Sequence, residues 1–186
     1  PYFMYLPQTM KSKVLTEVNI LQEPTGMFPC VVVGAAGDNQ FSDPCASQTR
    51  HHPDDITMML IAAHEQYSLV NDTAVITQIW PKLVKAFGFF KRYYDTAPWS
   101  VPFTTHETYD AVKESPTVTG EGNLGSSLYN AVNYLLGLHI VRELAGSQDD
   151  FAIVSEAQAM IKRVQQSIQQ HFWQPAAGFY IGDTMQ

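Results

Sequence analysis

The sequence predicts an all-α chain, and three observations carry that expectation. Five long segments place apolar side chains at helical spacing, and proline, glycine or Asn-Asp signals stop each of them. The connections alternate between short turns, around Asn71 and Gly146, and long loops, Phe28 to Pro53 and Tyr94 to Ser126. That alternation describes helical hairpins whose long loops all lie at one end.

The first helix is expected over Pro7 to Gln22, with Val14, Val18 and Leu21 on one face and Pro24-Thr25-Gly26 as its stop. The second begins at Pro53-Asp54-Asp55, where proline and two acids suit a helix N-terminus, and carries Ile56, Met59, Leu60 and Ala63 to about Val70. Asn71-Asp72-Thr73 breaks it. The third runs from about Thr73 to Tyr94 along Ile76, Ile79, Leu83, Val84, Phe87 and Phe90, and Pro81 within it should kink or divide it. The fourth, Ser127 to Leu144, has Leu128, Val132, Leu135, Leu136 and Ile140 in register, with Gly146 as its C-cap. The fifth, from about Gln148 to Phe172, shows Phe151, Val154, Ala157, Met160, Ile161, Val164 and Ile168 before Trp173-Gln174-Pro175 ends it. Gly178 to Asp183 reads as a short extended segment, and Gly120 to Ser127 as a flexible connector.

Composition bounds the function. The 186 residues are 45% hydrophobic and 12% aromatic, which suits one folded domain with a substantial core. A formal charge of −7, with no basic run longer than Lys91-Arg92, disfavours a nucleic-acid or anionic-membrane surface. No apolar run is long enough to span a bilayer. The chain starts at Pro1 without an initiator Met or a signal-peptide pattern, so a piece of a longer protein or a processed chain is expected. Cys30 and Cys45 are close enough in sequence for a local bridge, which would contribute about 3 kcal/mol in the chain-entropy model. Asn71-Asp72-Thr73 is a glycosylation sequon. Together these signals favour an extracellular or secretory-pathway protein.

His106-Glu107-Thr108-Tyr109-Asp110 sets three ionisable side chains on a long inter-helix loop, where rigid helices can hold binding groups. Trp99 lies in its lead-in, between Pro98 and Pro102. A pyranose offers hydroxyls to carboxylates and an apolar ring face to aromatics, so His106, Glu107, Asp110, Tyr109 and Trp99 are suitable contact residues. Each also has a structural reading: Trp99 as a core plug, Tyr109 as packing beneath the loop, Asp110 as a turn cap. His51-His52-Pro53-Asp54-Asp55 leads to the same end, where His52 or Asp54 would join the cleft. Adjacent histidines diverge, so no metal is expected there. His64 and His139 fall within helices as hydrogen-bonding groups, and His171 near a helix C-terminus suits the helix dipole. Phosphate-binding glycine loops, nucleotide fingerprints and serine-nucleophile motifs are missing, so no cofactor is expected.

The register of Pro53 to Tyr94 with Asn71-Asp72 and Trp80-Pro81, then Thr108-Tyr109-Asp110, Leu128-Tyr129, Phe172-Trp173 and Gly178 to Asp183, resembles the catalytic region of glycoside hydrolase family 116. That family includes non-lysosomal glucosylceramidases and β-glucosidases. The resemblance implies part of an (α/α)6 barrel of the six-hairpin glycosidase type, with residues 1–186 a single fragment of a larger barrel domain. It also implies a β-glucoside-like carbohydrate ligand, with the remainder of the barrel as the fragment's partner. This chain departs from the family at His106, where an acid is usual, at Glu107, where an amide is usual, and at Pro29-Cys30-Val31, where Pro-His-Asp is typical. The family's nucleophilic glutamate would precede Pro1 and its acid/base aspartate would follow Gln186. A retaining glycosidase needs two carboxyl groups about 5 Å apart, and no residue here is assigned to either role. Three functions stay open: part of a glycoside hydrolase, a glycosidase-derived scaffold that binds carbohydrate or protein without turnover, and a glutaminase-like amidohydrolase of the same architecture.

Overall fold

The computed structural model describes residues 54–103 and 125–185, residues 24–28, and Lys11, Ser12, Val14, Leu15, Val18 and Gln22, the side chains of Asp54 and of residues 183–185 excepted. Four α-helices dominate these residues: α1 (Asp54–Ser68), α2 (Thr73–Phe89), α3 (Leu128–Ser147) and α4 (Phe151–Ser167). Both α2 and α4 end in one π-helical turn, Phe90–Tyr94 and Ile168–Phe172. The fold is all-α, of the (α/α) hairpin type. Of the helix expected over Pro7 to Gln22, Val14 and Val18 are helical and fully buried, as their spacing requires.

The two hairpin turns use one device. Asn71 (φ 57°) and Asp149 (φ 55°) take the left-handed conformation that Asn and Asp tolerate. The next residue, Asp72 or Asp150, then caps the following helix, its carboxylate accepting the Val75 N–H at 3.1 Å or the Ile153 N–H at 3.3 Å. At the second turn the Asp150 N–H reaches the Ala145 carbonyl at 2.9 Å and the Asp149 N–H the Gly146 carbonyl at 3.3 Å, closing a Schellman motif. Gly146 is therefore not the cap: α3 runs through it to Ser147, and Asp149 supplies the left-handed residue. Lys11 donates to Asp72 at 2.7 Å. That bond, then the one from Val75, holds the Asp72 carboxyl below the usual carboxylate range.

Pro81 does not divide α2, which passes through it as one helix. Pro81 and Thr77 are both exposed, so the Thr77 carbonyl left without its intrahelical donor faces water. Gly26 (φ 102°) brings the chain against the Lys85 carbonyl, where a Cβ would collide, and Gln22 Nε2 ties this segment down by donating to the Gly26 and Lys82 carbonyls at 3.1 and 2.8 Å.

α3 is the centre of the packing. It lies against α4, α1 and α2, and its buried residues, among them Ala131, Tyr134, Leu138, Val141 and Leu144, are spread around the helix. α2 and α4 each bury one stripe and expose the other face. Lys91 pairs with Glu156 at 2.6 Å and Asp95 with Arg163 at 2.8 Å, positions that advance together, so α2 and α4 are parallel. Because each hairpin turns back on itself, α1 and α3 are parallel as well. They meet where Thr57 Oγ1 donates to the Asn133 carbonyl at 3.0 Å.

Two short antiparallel pairs sit among the helices. β1 (Gly125–Ser127) pairs with β4 (Asp183–Met185), and β2 (Trp173–Gln174) with β3 (Phe179–Tyr180). The extended segment expected after Gly178 is thus split between two ladders. The last three residues of the expected connector are a buried strand, because β4 gives their backbone a partner.

A methyl group on Gly137 would lie 2.9 Å from Thr57 Oγ1 and 3.0 Å from the Phe90 ring. Gly137→Ala should therefore lose about 1–3 kcal/mol in urea unfolding although alanine favours helix, since overpacking outweighs propensity. The Tyr134 hydroxyl is fully buried beside the Phe90 and Tyr94 rings, 5.0 and 5.3 Å between centroids, and lacks a hydrogen-bond partner among the described residues. Burial pushes its phenol far above the ordinary range. Tyr134→Phe should leave stability unchanged or raise it by up to about 2 kcal/mol, since it removes an unsatisfied donor. A clear loss in the same unfolding assay would mean that the hydroxyl has a partner.

Candidate functional site

The parallel arrangement gathers the long connections at one end: α1 and α3 start there, and α2 and α4 finish there. The exit from α2 is strapped to α4 by three successive contacts. Lys91 meets Glu156, Asp95 receives a two-pronged hydrogen bond from Arg163 at 2.8–3.0 Å, and Trp99 stacks on His171. The stack is nearly face to face, with centroids 4.1 Å apart and planes 12° apart, and Phe103 meets Trp99 edge-on at 5.1 Å. Trp99 (φ 59°) and Ser100 (φ 51°) are consecutive left-handed residues without being glycine, a conformation that costs about 1–3 kcal/mol each and persists only when neighbours enforce it.

His171 reaches Trp99 because of the π turn. Continuing the α4 stripe from Val164 by seven residues would aim residue 171 at the core. The π turn adds one residue, so Phe172 is fully buried and His171 sits half-buried at the rim. Burial lowers the imidazole pKa, which favours the neutral form. The sequence set His171 against the helix dipole; the structure also sets its ring against the indole. His64, expected as a hydrogen-bonding group, has its Nε2 3.2 Å from a Glu143 carboxylate oxygen between α1 and α3, without hydrogen-bond geometry.

A second feature opens at the head of α3. Leu128, Tyr129, Val132, Asn133 and Gly182 line a mainly apolar groove of about 540 Å³. Its walls are fixed by the β1–β4 ladder, by the Leu128 N–H bonded to the Gly182 carbonyl at 2.7 Å, and by Ser127 Oγ capping α3 through the Asn130 N–H at 3.0 Å. The adjoining β2–β3 hairpin packs Trp173 against Tyr180 with centroids 4.9 Å apart and planes tilted by 58°, the Tyr180 hydroxyl donates to Gln169 at 3.0 Å, and Phe179 stands exposed.

Of the residues singled out from sequence, Trp99 lies at this end, in the lead-in to residues 104–110, and Asp54 opens α1 here. His52, His106, Glu107, Tyr109 and Asp110 lie outside the described residues, as do Cys30 and Cys45. Asn71 is exposed in the α1–α2 turn, at the opposite end. Among the described residues, no three His, Cys, Asp or Glu side chains converge as a metal site, and no helix is long and apolar enough to cross a membrane. Sequence reading missed His171 and the groove. Leu128, Tyr129, Val132 and Asn133 have the spacing of an ordinary helix face, and nothing in the sequence marks the π turn that moves His171.

Paired helical hairpins that gather their long connections at one end are the arrangement of an (α/α) hairpin fold, the architecture of the six-hairpin glycosidases. The chain belongs to that superfamily: residues 1–186 match the family model of the bacterial alpha-L-rhamnosidase 6 hairpin glycosidase domain. Its function is accordingly glycoside-hydrolase-like and its substrate class carbohydrate. A comparison with curated proteins gives no match.

The lowered His171 pKa sets a pH dependence. The unfolded chain binds a proton near the usual imidazole value of 6.5 while the folded one resists it, so the stabilisation is complete above 6.5 and is lost as pH falls through the folded value. His139, lowered by burial and then by Arg142, acts in the same direction. The thermal midpoint should drop between pH 7 and 5, and drop less in His171→Phe; identical profiles would show that His171 does not titrate differently on folding.

Proposed function

We propose that this chain is part of the catalytic barrel of a glycoside hydrolase, contributing a substrate-binding face built from the loop around His106, Glu107, Tyr109 and Asp110 together with Trp99, with His52 from the segment before α1 and Asp54 at its start. The observation that carries this reading is the aromatic, strained Trp99 turn at the long-connection end, in a chain that belongs to a six-hairpin glycosidase family. The description of the matched family supports an α-L-rhamnoside-like substrate as the first reading. A β-glucoside-like substrate is the second reading, favoured by Thr108-Tyr109-Asp110. The catalytic carboxylate pair belongs to the parent barrel outside residues 1–186. Secretion fits the sequon, whose exposed Asn71 sits opposite the site, so a glycan there leaves the site open. A Cys30–Cys45 bridge belongs to the same proposal.

Incubating the parent protein with nitrophenyl α-L-rhamnopyranoside and nitrophenyl β-D-glucopyranoside separates the readings, since release of nitrophenol from one only selects the sugar. Turnover of neither leaves the binding scaffold. Asp110→Ala should weaken sugar binding about tenfold or more, the scale of losing a charge-assisted hydrogen bond, with little change in the unfolding midpoint. Unfolding with affinity intact would make the loop structural.

A further inference from the structure

We infer that His171 is a positioning residue of the glycoside site: it holds the Trp99 indole in the orientation the sugar meets, without needing to touch the sugar itself. The inference rests on the reading above that Trp99 lines the site.

Trp99 and Ser100 occupy left-handed backbone that neither residue prefers, so something outside the segment must hold them. Along α4 the strap has three rungs, at Glu156, Arg163 and His171, opposite Lys91, Asp95 and Trp99. The first is an exposed ion pair and the second a two-pronged bond from Arg163 to the half-buried Asp95; both tether the segment before the turn, and neither touches the indole. The third alone contacts the indole, with the two ring planes 12° apart. The π turn is what delivers His171 to that place while Phe172 fills the core. A flat, neutral ring suits the role, because it restrains the indole by its plane rather than by charge.

The test compares the parent protein with His171→Leu, which keeps bulk but no flat ring, and His171→Phe, which keeps the stack. On the nitrophenyl glycoside that the wild type cleaves, His171→Leu should raise KM about three- to tenfold, the scale of one aromatic pair, with kcat within about twofold. His171→Phe should keep KM within about twofold of wild type. In ¹⁵N spectra the Trp99 indole N–H resonance, assigned with Trp99→Phe, should move in the Leu variant. An unchanged KM despite a moved indole signal, or an equal rise of KM in both variants, overturns the inference. A wild type that cleaves neither glycoside overturns the hydrolase reading instead. Titration with L-rhamnose then decides the positioning role alone: a Trp99 shift in wild type and the Phe variant but not in Leu upholds it, and no shift in any of the three overturns it.

Discussion

The burial of α3 is the constraint on which the other elements depend. Its buried residues lie on most of its circumference, so α4, α1 and α2 each cover part of it, while Val132 and Leu136 stay exposed. Gly137 sets how close that cover comes, because Thr57 and the Phe90 ring occupy the space a side chain would take. Fixing α3 also fixes the groove, since Leu128, Tyr129, Val132 and Asn133 are its first two turns. Packing at the centre thereby determines geometry at the mouth.

The outer helices supply a second determinant through the way they end. Each finishes in a π turn that shifts the register by one residue, and each shift places aromatic groups. After α2 it stacks Phe89, Phe90, Tyr93 and Tyr94 into the core cluster around Tyr134. After α4 it buries Phe172 and brings His171 to the rim. π turns concentrate at functional sites because the register change aims side chains where an α-helix cannot.

The helices were legible in the sequence because burial on one side writes a 3.6-residue period. Thus the stripe Ile76, Ile79, Leu83, Phe87 located α2 and Ala157, Met160, Ile161, Val164 located α4, although Phe151, expected on the same stripe, is exposed and Ile153 is buried instead. The Asn71 turn was legible too, since Asn-Asp-Thr is local chemistry. The left-handed residue at Asp149 was hidden by the neighbouring Gly146, which propensity favours and the backbone does not use. β1 was hidden because its partner lies nearly 60 residues away, and local composition cannot announce a long-range ladder. The site was legible in part: Trp99 drew notice as an aromatic between prolines, whereas His171 became a candidate only once the π turn had set it against the indole.

The two ends of the hairpins divide their work by how tightly they are specified. At the short-turn end every feature agrees with local preference: Asn and Asp take left-handed positions, and Asp72 and Asp150 cap the helices that follow. At the other end Trp99 and Ser100 defy that preference side by side. A chain free to relax would surrender such a conformation, so its persistence requires enforcement from outside the segment. Asp95 bonded to Arg163 anchors the segment before the strained pair, and Phe103 packs against the indole after it. Between them, the His171 ring lies flat on the indole and opposes its turning away, so a ring with no preferred partner in the sequence acts on the strained turn from α4.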